Sequence, residues 1–181
     1  MRITPGLIIL VGPPASGKTT FVREMIAAGR LAPEAVVSTD TIRAELYGDD
    51  PAGFDSDLAD PLVFAERDRR IVTRLAAGHY AVAESTNVTA QARRRLIAIA
   101  EEFGALVAVL RFVQDAADLL AQHAERQQGP TTTSDVLASA SLMRDAEPDR
   151  LLAEGAAAVF DVPGRGQDCS AAEAARRFTI G

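Results

Sequence analysis

The chain has 181 residues, of which 48% are apolar and 24% charged, with a formal net charge of −6. That length fits one domain of ordinary size, expected to span 1–181, with enough apolar residues for a real core. The acidic balance speaks against a broad non-specific nucleic-acid surface, the lone Cys169 excludes an intrachain disulfide and a cysteine-based metal site, and the longest apolar run, 7–11, is far too short to cross a bilayer.

Residues 1–6 lead straight into a strand without a signal-peptide pattern, so a soluble cytoplasmic protein with no membrane partner is expected. The run Leu7-Ile8-Ile9-Leu10-Val11 predicts a strand buried on both faces, as in a parallel sheet. A helix is predicted over 19–28, with Phe21, Val22, Met25 and Ile26 on one stripe and Gly29 as its stop. A short strand over 35–38 and a short helix over 40–46 follow. The acidic, turn-rich stretch 48–60 predicts a loop, and Pro61 is expected to open a helix running to 77, closed by Gly78.

Further strands are predicted over 80–83, 106–112 and 156–162. Helices are predicted over 89–103, 115–127, 134–144 (with Ser134 as cap), 148–154 and 171–178. Strands alternating with helices imply right-handed crossovers and a parallel sheet covered on both faces. The expected fold is therefore a three-layer α/β/α arrangement with a five-stranded mostly parallel sheet. Functional groups should gather at the carboxyl ends of the strands, where Gly12, Asp40, Glu84 and Asn87 fall.

The segment Gly12-Pro13-Pro14-Ala15-Ser16-Gly17-Lys18-Thr19 has a mechanical reason at each fixed position. Gly12 and Gly17 give the backbone conformations closed to larger residues, so that inward amides wrap a phosphate. The helix beginning near Lys18 adds its unsatisfied N–H groups and positive dipole end. Lys18 would neutralise the β- and γ-phosphates, Thr19 would offer its hydroxyl to Mg²⁺, and Thr20 would reach the α-phosphate. Of the 19 basic residues, 18 are arginine, and the single lysine is Lys18. A flexible point charge suits phosphate oxygens there better than a planar fork. ATP with Mg²⁺ is the expected ligand pair.

GTPase base-reading motifs and the Asp-Glu strand end of motor ATPases are not found, which favours phosphoryl transfer to an acceptor. Asp40, at a strand-to-helix corner, could accept the proton of an attacking hydroxyl, and it could equally cap the helix. Arg43, one turn on, could hold an anionic group of the acceptor. Arg126 sits on a helix beside the break Gln127-Gln128-Gly129-Pro130. It fits a lid arginine over the transferring group or a surface cation at a helix end. Residues 65–95 hold seven arginines against three acids, a local +4. Either a basic patch or two solvated helix faces would result.

Four blocks resemble the P-loop polynucleotide 5′-kinase family, among the AAA- and zeta-toxin-like P-loop kinases. They are the loop 12–21, Ser38-Thr39-Asp40-Thr41-Ile42-Arg43, Glu84-Ser85-Thr86-Asn87-Val88 followed by Ala92-Arg93, and Ala124-Glu125-Arg126-Gln127. The resemblance implies a P-loop NTPase fold with a helical lid over about 115–145, and transfer of the ATP γ-phosphate to a 5′-hydroxyl end of DNA or RNA. It makes Lys18, Asp40 and Arg126 catalytic, Arg43 and Asn87 acceptor contacts, and Glu84 a water-mediated Mg²⁺ partner beside Thr19. The chain departs from the family pattern in carrying Glu84 where the family has aspartate, in having no second cation over 127–133, and in lacking an attached phosphatase or ligase module. A small-molecule, antibiotic or zeta-toxin-like kinase, and a non-catalytic ATP-binding switch, are the competing expectations.

Overall fold

The computed structural model describes residues 1–4, 6–48, 56–125 and 131–181, with the backbone alone for 56–59. In chain order the elements are β1 (Arg2–Ile3), β2 (Leu7–Val11), α1 (Lys18–Ala27), β3 (Val36–Ser38), α2 (Thr39–Tyr47), α3 (Ser56–Ala76), β4 (Ala81–Glu84) and α4 (Ala90–Glu102). They continue with β5 (Val107–Arg111), α5 (Ala116–Glu125), α6 (Thr133–Leu142), α7 (Pro148–Glu154), β6 (Ala158–Asp161), α8 (Ala171–Arg176) and β7 (Thr179–Ile180).

Five strands form one sheet in the order β3-β4-β2-β5-β6, and every neighbouring pair is parallel. All five residues of β2, the central strand, are buried. Their alternation divides the core: Leu7, Ile9 and Val11 join Ile71, Leu75, Leu96, Ile97 and Leu151 of α3, α4 and α7. Ile8 and Leu10 join Phe21, Val22 and Met25 of α1 with Ala174 and Ala175 of α8. A strand covered on both faces has no polar side to offer, which is why it reads as a continuous apolar run. The connection leaving β2 heads for the β3 edge, whereas those leaving β4 and β5 head the other way. The ligand crevice of an open α/β sheet lies where that direction reverses, beyond the strand carboxyl ends.

The expected five-stranded sheet is therefore present, with no antiparallel member. Two local readings change. Helix α3 begins at Ser56, so Pro61 lies inside it rather than opening it. Pro61 is the sixth residue of α3, and its missing N–H leaves the carbonyl one turn earlier without an intrahelical donor. Of the expected loop, 49–55 lie outside the described residues. The cap of α6 is Thr132, not Ser134: its hydroxyl accepts from the Asp135 N–H while the Asp135 carboxylate accepts from the Thr132 N–H. The two-residue strands β1 and β7, paired in parallel, are too short for any periodicity to announce.

Phe21, the fourth residue of α1, fastens the helix that follows the phosphate loop. Its ring meets Phe112 and Phe178 edge-on, with centroids 5.5 Å away in both cases. Phe21→Ala is expected to lower unfolding free energy by about 3–5 kcal/mol, read from the urea midpoint at unchanged m-value.

Candidate functional site

The turn between β2 and α1 is held from three sides. The Gly12 N–H donates to the Thr86 carbonyl at 2.9 Å. A Cβ on Gly12 would lie 2.8 Å from both Phe112 Cβ and Ser16 Oγ, so glycine is required there for space. Gly17 differs: nothing crowds its Cβ position, and its φ of +91° is what a side chain would oppose. Ala15 also sits at positive φ, 64°, a strained conformation of the kind concentrated in functional loops. Gln114 Nε2 donates to the Ser16 carbonyl at 3.0 Å from the far side.

Helix α1 begins at Lys18 with Gly17 as its cap residue and no side chain bonded to its first amides. An uncapped N-terminus with a positive dipole end is the arrangement that binds phosphate. Lys18, 8% exposed, folds back over the turn. Its Nζ donates to the carbonyls of Gly12 (2.8 Å) and Pro13 (2.7 Å) and to Ser16 Oγ (3.3 Å).

A cavity of about 260 Å³ opens in front of this turn. Pro14 to Thr19 line it together with Asp40, Arg43 and Glu84. Asp40 stands exposed in the first turn of α2, whose cap residue is Ser38, so it is not the helix cap. Arg43 is ion-paired with Asp60 of α3. Glu84 ends β4 and is 7% exposed. Thr39, Phe64, Ser85, Thr86 and Thr131 complete the wall. Thr19 and Glu84 supply one hydroxyl and one carboxylate. That is a fitting protein share for Mg²⁺, which takes one or two protein ligands and leaves the rest to phosphate and water. Among the described residues no cluster of three or more metal-ligating side chains exists.

Asn87 is not among the residues that line this cavity. It is 2% exposed, at φ 46°, and its Nδ2 donates to the carbonyls of Leu10 (2.8 Å) and Ala83 (3.3 Å). Its side chain is thus engaged in joining the β4–α4 turn to β2. Arg93, fully buried, braces the same turn. Its guanidinium donates to the carbonyls of Asn87 (3.3 Å), Val88 (2.7 Å) and Asp145 (3.2 Å), and makes two 2.7 Å bonds to the Glu154 carboxylate. Arg126 lies outside the described residues.

Of the two alternatives for 65–95, ion pairing speaks against a patch of uncommitted cations. Arg67 pairs with Asp68, Arg69 with Glu66, Arg70 with Glu45 and Glu66, Arg93 with Glu154, and Arg95 with Asp68. Arg74 donates to the Tyr80 carbonyl, and Arg94 lines a different hollow that shares no residue with the loop cavity.

On the opposite side of Ser16 and Gly17 is a second hollow of about 260 Å³. Thr20, Phe112, Gln114, Gln122, Pro163 and Gly164 are among its lining residues. Gln122 Nε2 donates to Gln114 Oε1. None of the glutamines carries a sequence signal, because glutamine in a helix or loop reads as ordinary surface polarity.

The AAA_33 family, described as an AAA domain, matches residues 7–144. The chain belongs to that family. No curated protein sequence is a match. Among solved structures, the AAA_33 chain is similar to a member of a Pnkp1/Rnl/Hen1 RNA repair complex at 22% identity and a TM-score of 0.65, over 77% of this chain and 44% of that one. It thus spans under half the length of that relative. A putative kinase from Chloroflexus aurantiacus is similar at 20% identity and a TM-score of 0.62, over 96% and 93% of the two chains. Shikimate kinase from Acinetobacter baumannii is similar at 17% identity and a TM-score of 0.56, over 96% and 90%. The fold is that of P-loop kinases, and family membership implies nucleotide use. No helix among the described residues is long and apolar enough to cross a membrane.

Two predictions follow from the braces around the site. Arg93→Ala leaves the Glu154 carboxylate and two turn carbonyls without a donor, and is expected to cost about 3–5 kcal/mol. Arg93→Lys restores the charge but not the fork and recovers only part of it, as chemical denaturation would show. Helix α2 is tied to α3 through Arg70, which bonds both Glu45 and Glu66. The guanidiniums of Arg69 and then Arg70 hold the Glu66 carboxyl down at about 2, against an ordinary 4.5; the Arg70 bond lowers Glu45 as well. Unfolded, these carboxyls bind protons more readily, so their contribution is complete above pH 4.5 and is lost as pH falls towards 2. The stability difference between the native chain and Arg70→Gln should therefore be constant above pH 4.5 and shrink in acid. It should also shrink in high salt, because the network is exposed.

Proposed function

We propose that this chain transfers the γ-phosphoryl group of Mg²⁺-bound ATP to an acceptor hydroxyl beside Asp40. The observation that carries this reading is that Lys18, Thr19, Glu84 and Asp40 border one cavity although they come from three different strand ends. A phosphate tail would lie along the amides of the β2–α1 turn, and Lys18 Nζ would exchange the Gly12 and Pro13 carbonyls for β- and γ-oxygens. Thr19 and Glu84 would hold Mg²⁺, which when bound draws charge from the bridging oxygens. The base would occupy the hollow beyond Thr20.

In the transfer the acceptor oxygen forms a bond to the γ-phosphorus as the bond to the β–γ bridging oxygen breaks. The hydroxyl proton passes to the Asp40 carboxylate, which stands exposed and within the cavity wall. Arg43, in the same cavity wall, would orient the acceptor. Arg126 is assigned to the lid on the sequence pattern alone.

A polynucleotide 5′-hydroxyl end is one acceptor class. The four motif blocks speak for it, as does the likeness to the RNA repair complex. A smaller acceptor is the other, and the ion pairing of the arginines near the cavity favours it, since a polyanion needs uncommitted cations. A non-catalytic nucleotide switch would use Lys18 but give Asp40 no task.

Lys18→Ala is expected to weaken ATP binding by about 10- to 100-fold, the worth of a charge-assisted contact; calorimetry showing unchanged affinity refutes the site. Asp40→Asn should lower turnover by about 10² to 10⁴ while ATP affinity stays within about threefold. If a γ-labelled ATP assay finds equal rates, Asp40 is not the base.

A further inference from the structure

A third cavity, of about 400 Å³, continues from the loop cavity on the acceptor side. Phe64, Ser85 and Thr86 line both. Asp40 and Arg43 line only the first, and Val88, Gln91, Ala92 and Arg95 only the other. We propose that this third cavity holds the body of the acceptor, and that the acceptor is a neutral, monomeric alcohol with a planar or apolar body. The proposal rests on the kinase reading above and specifies the substrate of that same site.

The position follows from contiguity. A molecule whose hydroxyl reaches Asp40 with the triphosphate against the loop has its remainder directed past Phe64. The combined space matches the size of small-ligand pockets. The chemistry follows from the walls. Phe64, Val88 and Ala92 present apolar surface, and the Arg67 guanidinium lies over the Phe64 ring, 5.0 Å from its centroid, which holds that aromatic ring in the cavity wall.

Charge sets the last term. Arg67 bonds one oxygen of Asp68, through Nε at 2.8 Å and Nη2 at 2.6 Å, and Arg95 bonds the other. Arg43 is paired with Asp60. Across the two cavities Lys18, Arg43, Arg67 and Arg95 are matched by Asp40, Asp60, Glu84 and Asp68. Lys18 is committed to the nucleotide in the kinase reading. Among the described residues no excess positive charge remains along the acceptor path to replace the counterions of a phosphodiester chain.

The test is γ-labelled ATP with thymidine, uridine and salicin, set against an oligothymidylate with a 5′-hydroxyl. At least one neutral monomer should be phosphorylated, with a KM that changes less than about twofold between about 50 and 200 mM salt. Ala92→Trp, which fills the third cavity, should raise that KM at least about tenfold while the KM for ATP stays within about twofold. Should Ala92→Trp fail to fold, Phe64→Leu keeps the wall apolar and should raise the acceptor KM about threefold to tenfold through loss of the stack. Turnover confined to the oligonucleotide, an acceptor KM indifferent to whichever variant folds, or no turnover of any monomer by a protein that binds ATP overturns the proposal and leaves the kinase reading standing. Failure of the native chain to bind ATP sinks the kinase reading instead.

Discussion

Lys18 Nζ lies against two backbone carbonyls of the turn that it terminates. A buried cation is stable only with such partners, and the turn keeps them converged because Gly12 has no Cβ to strike Phe112. The neighbouring geometry follows from that packing. Gly12 is bonded to Thr86, Asn87 to Leu10, and Arg93 to the carbonyls of Asn87 and Val88. The phosphate loop and the β4–α4 turn are therefore one rigid unit, and the wall shared by the two acceptor-side cavities is built from it. Asn87 and Arg93 both bond backbone carbonyls within this unit.

Charge is handled with the same economy. The molecule carries many arginines near its cleft, yet nearly all are answered by a carboxylate on the same or a neighbouring helix. Such pairs contribute little to stability when exposed. Their larger effect is on recognition, because a guanidinium already bound to a carboxylate offers less to an incoming anion.

Much of this was legible before any coordinates. The all-apolar β2 announced a strand covered on both faces, and the glycine spacing of 12–19 together with Lys18 announced the loop. The α7 boundaries were readable from Pro148 and Gly155, one at each end. What escaped did so for physical reasons. Pro61 is a strong helix-start signal, yet α3 begins five residues before it, which no local pattern marks. Thr132 and Ser134 are both good caps, and the choice was decided by Asp135 three residues beyond the former. The arginine cluster was visible as charge, but a sequence does not say which carboxylate each guanidinium will meet. Cavity walls such as Phe64 and Gln114 depend on how distant elements come together, and no local pattern marks them.

The amino-acid usage has one practical consequence. Apart from the α-amino group at Met1, the chain offers amine-selective acylating reagents a single target, the 8% exposed Lys18 ammonium at the heart of the loop. Covalent labelling of this protein, usually a blur over many surface lysines, would report on one side chain alone. A ligand seated on the loop would register as protection at that one mass.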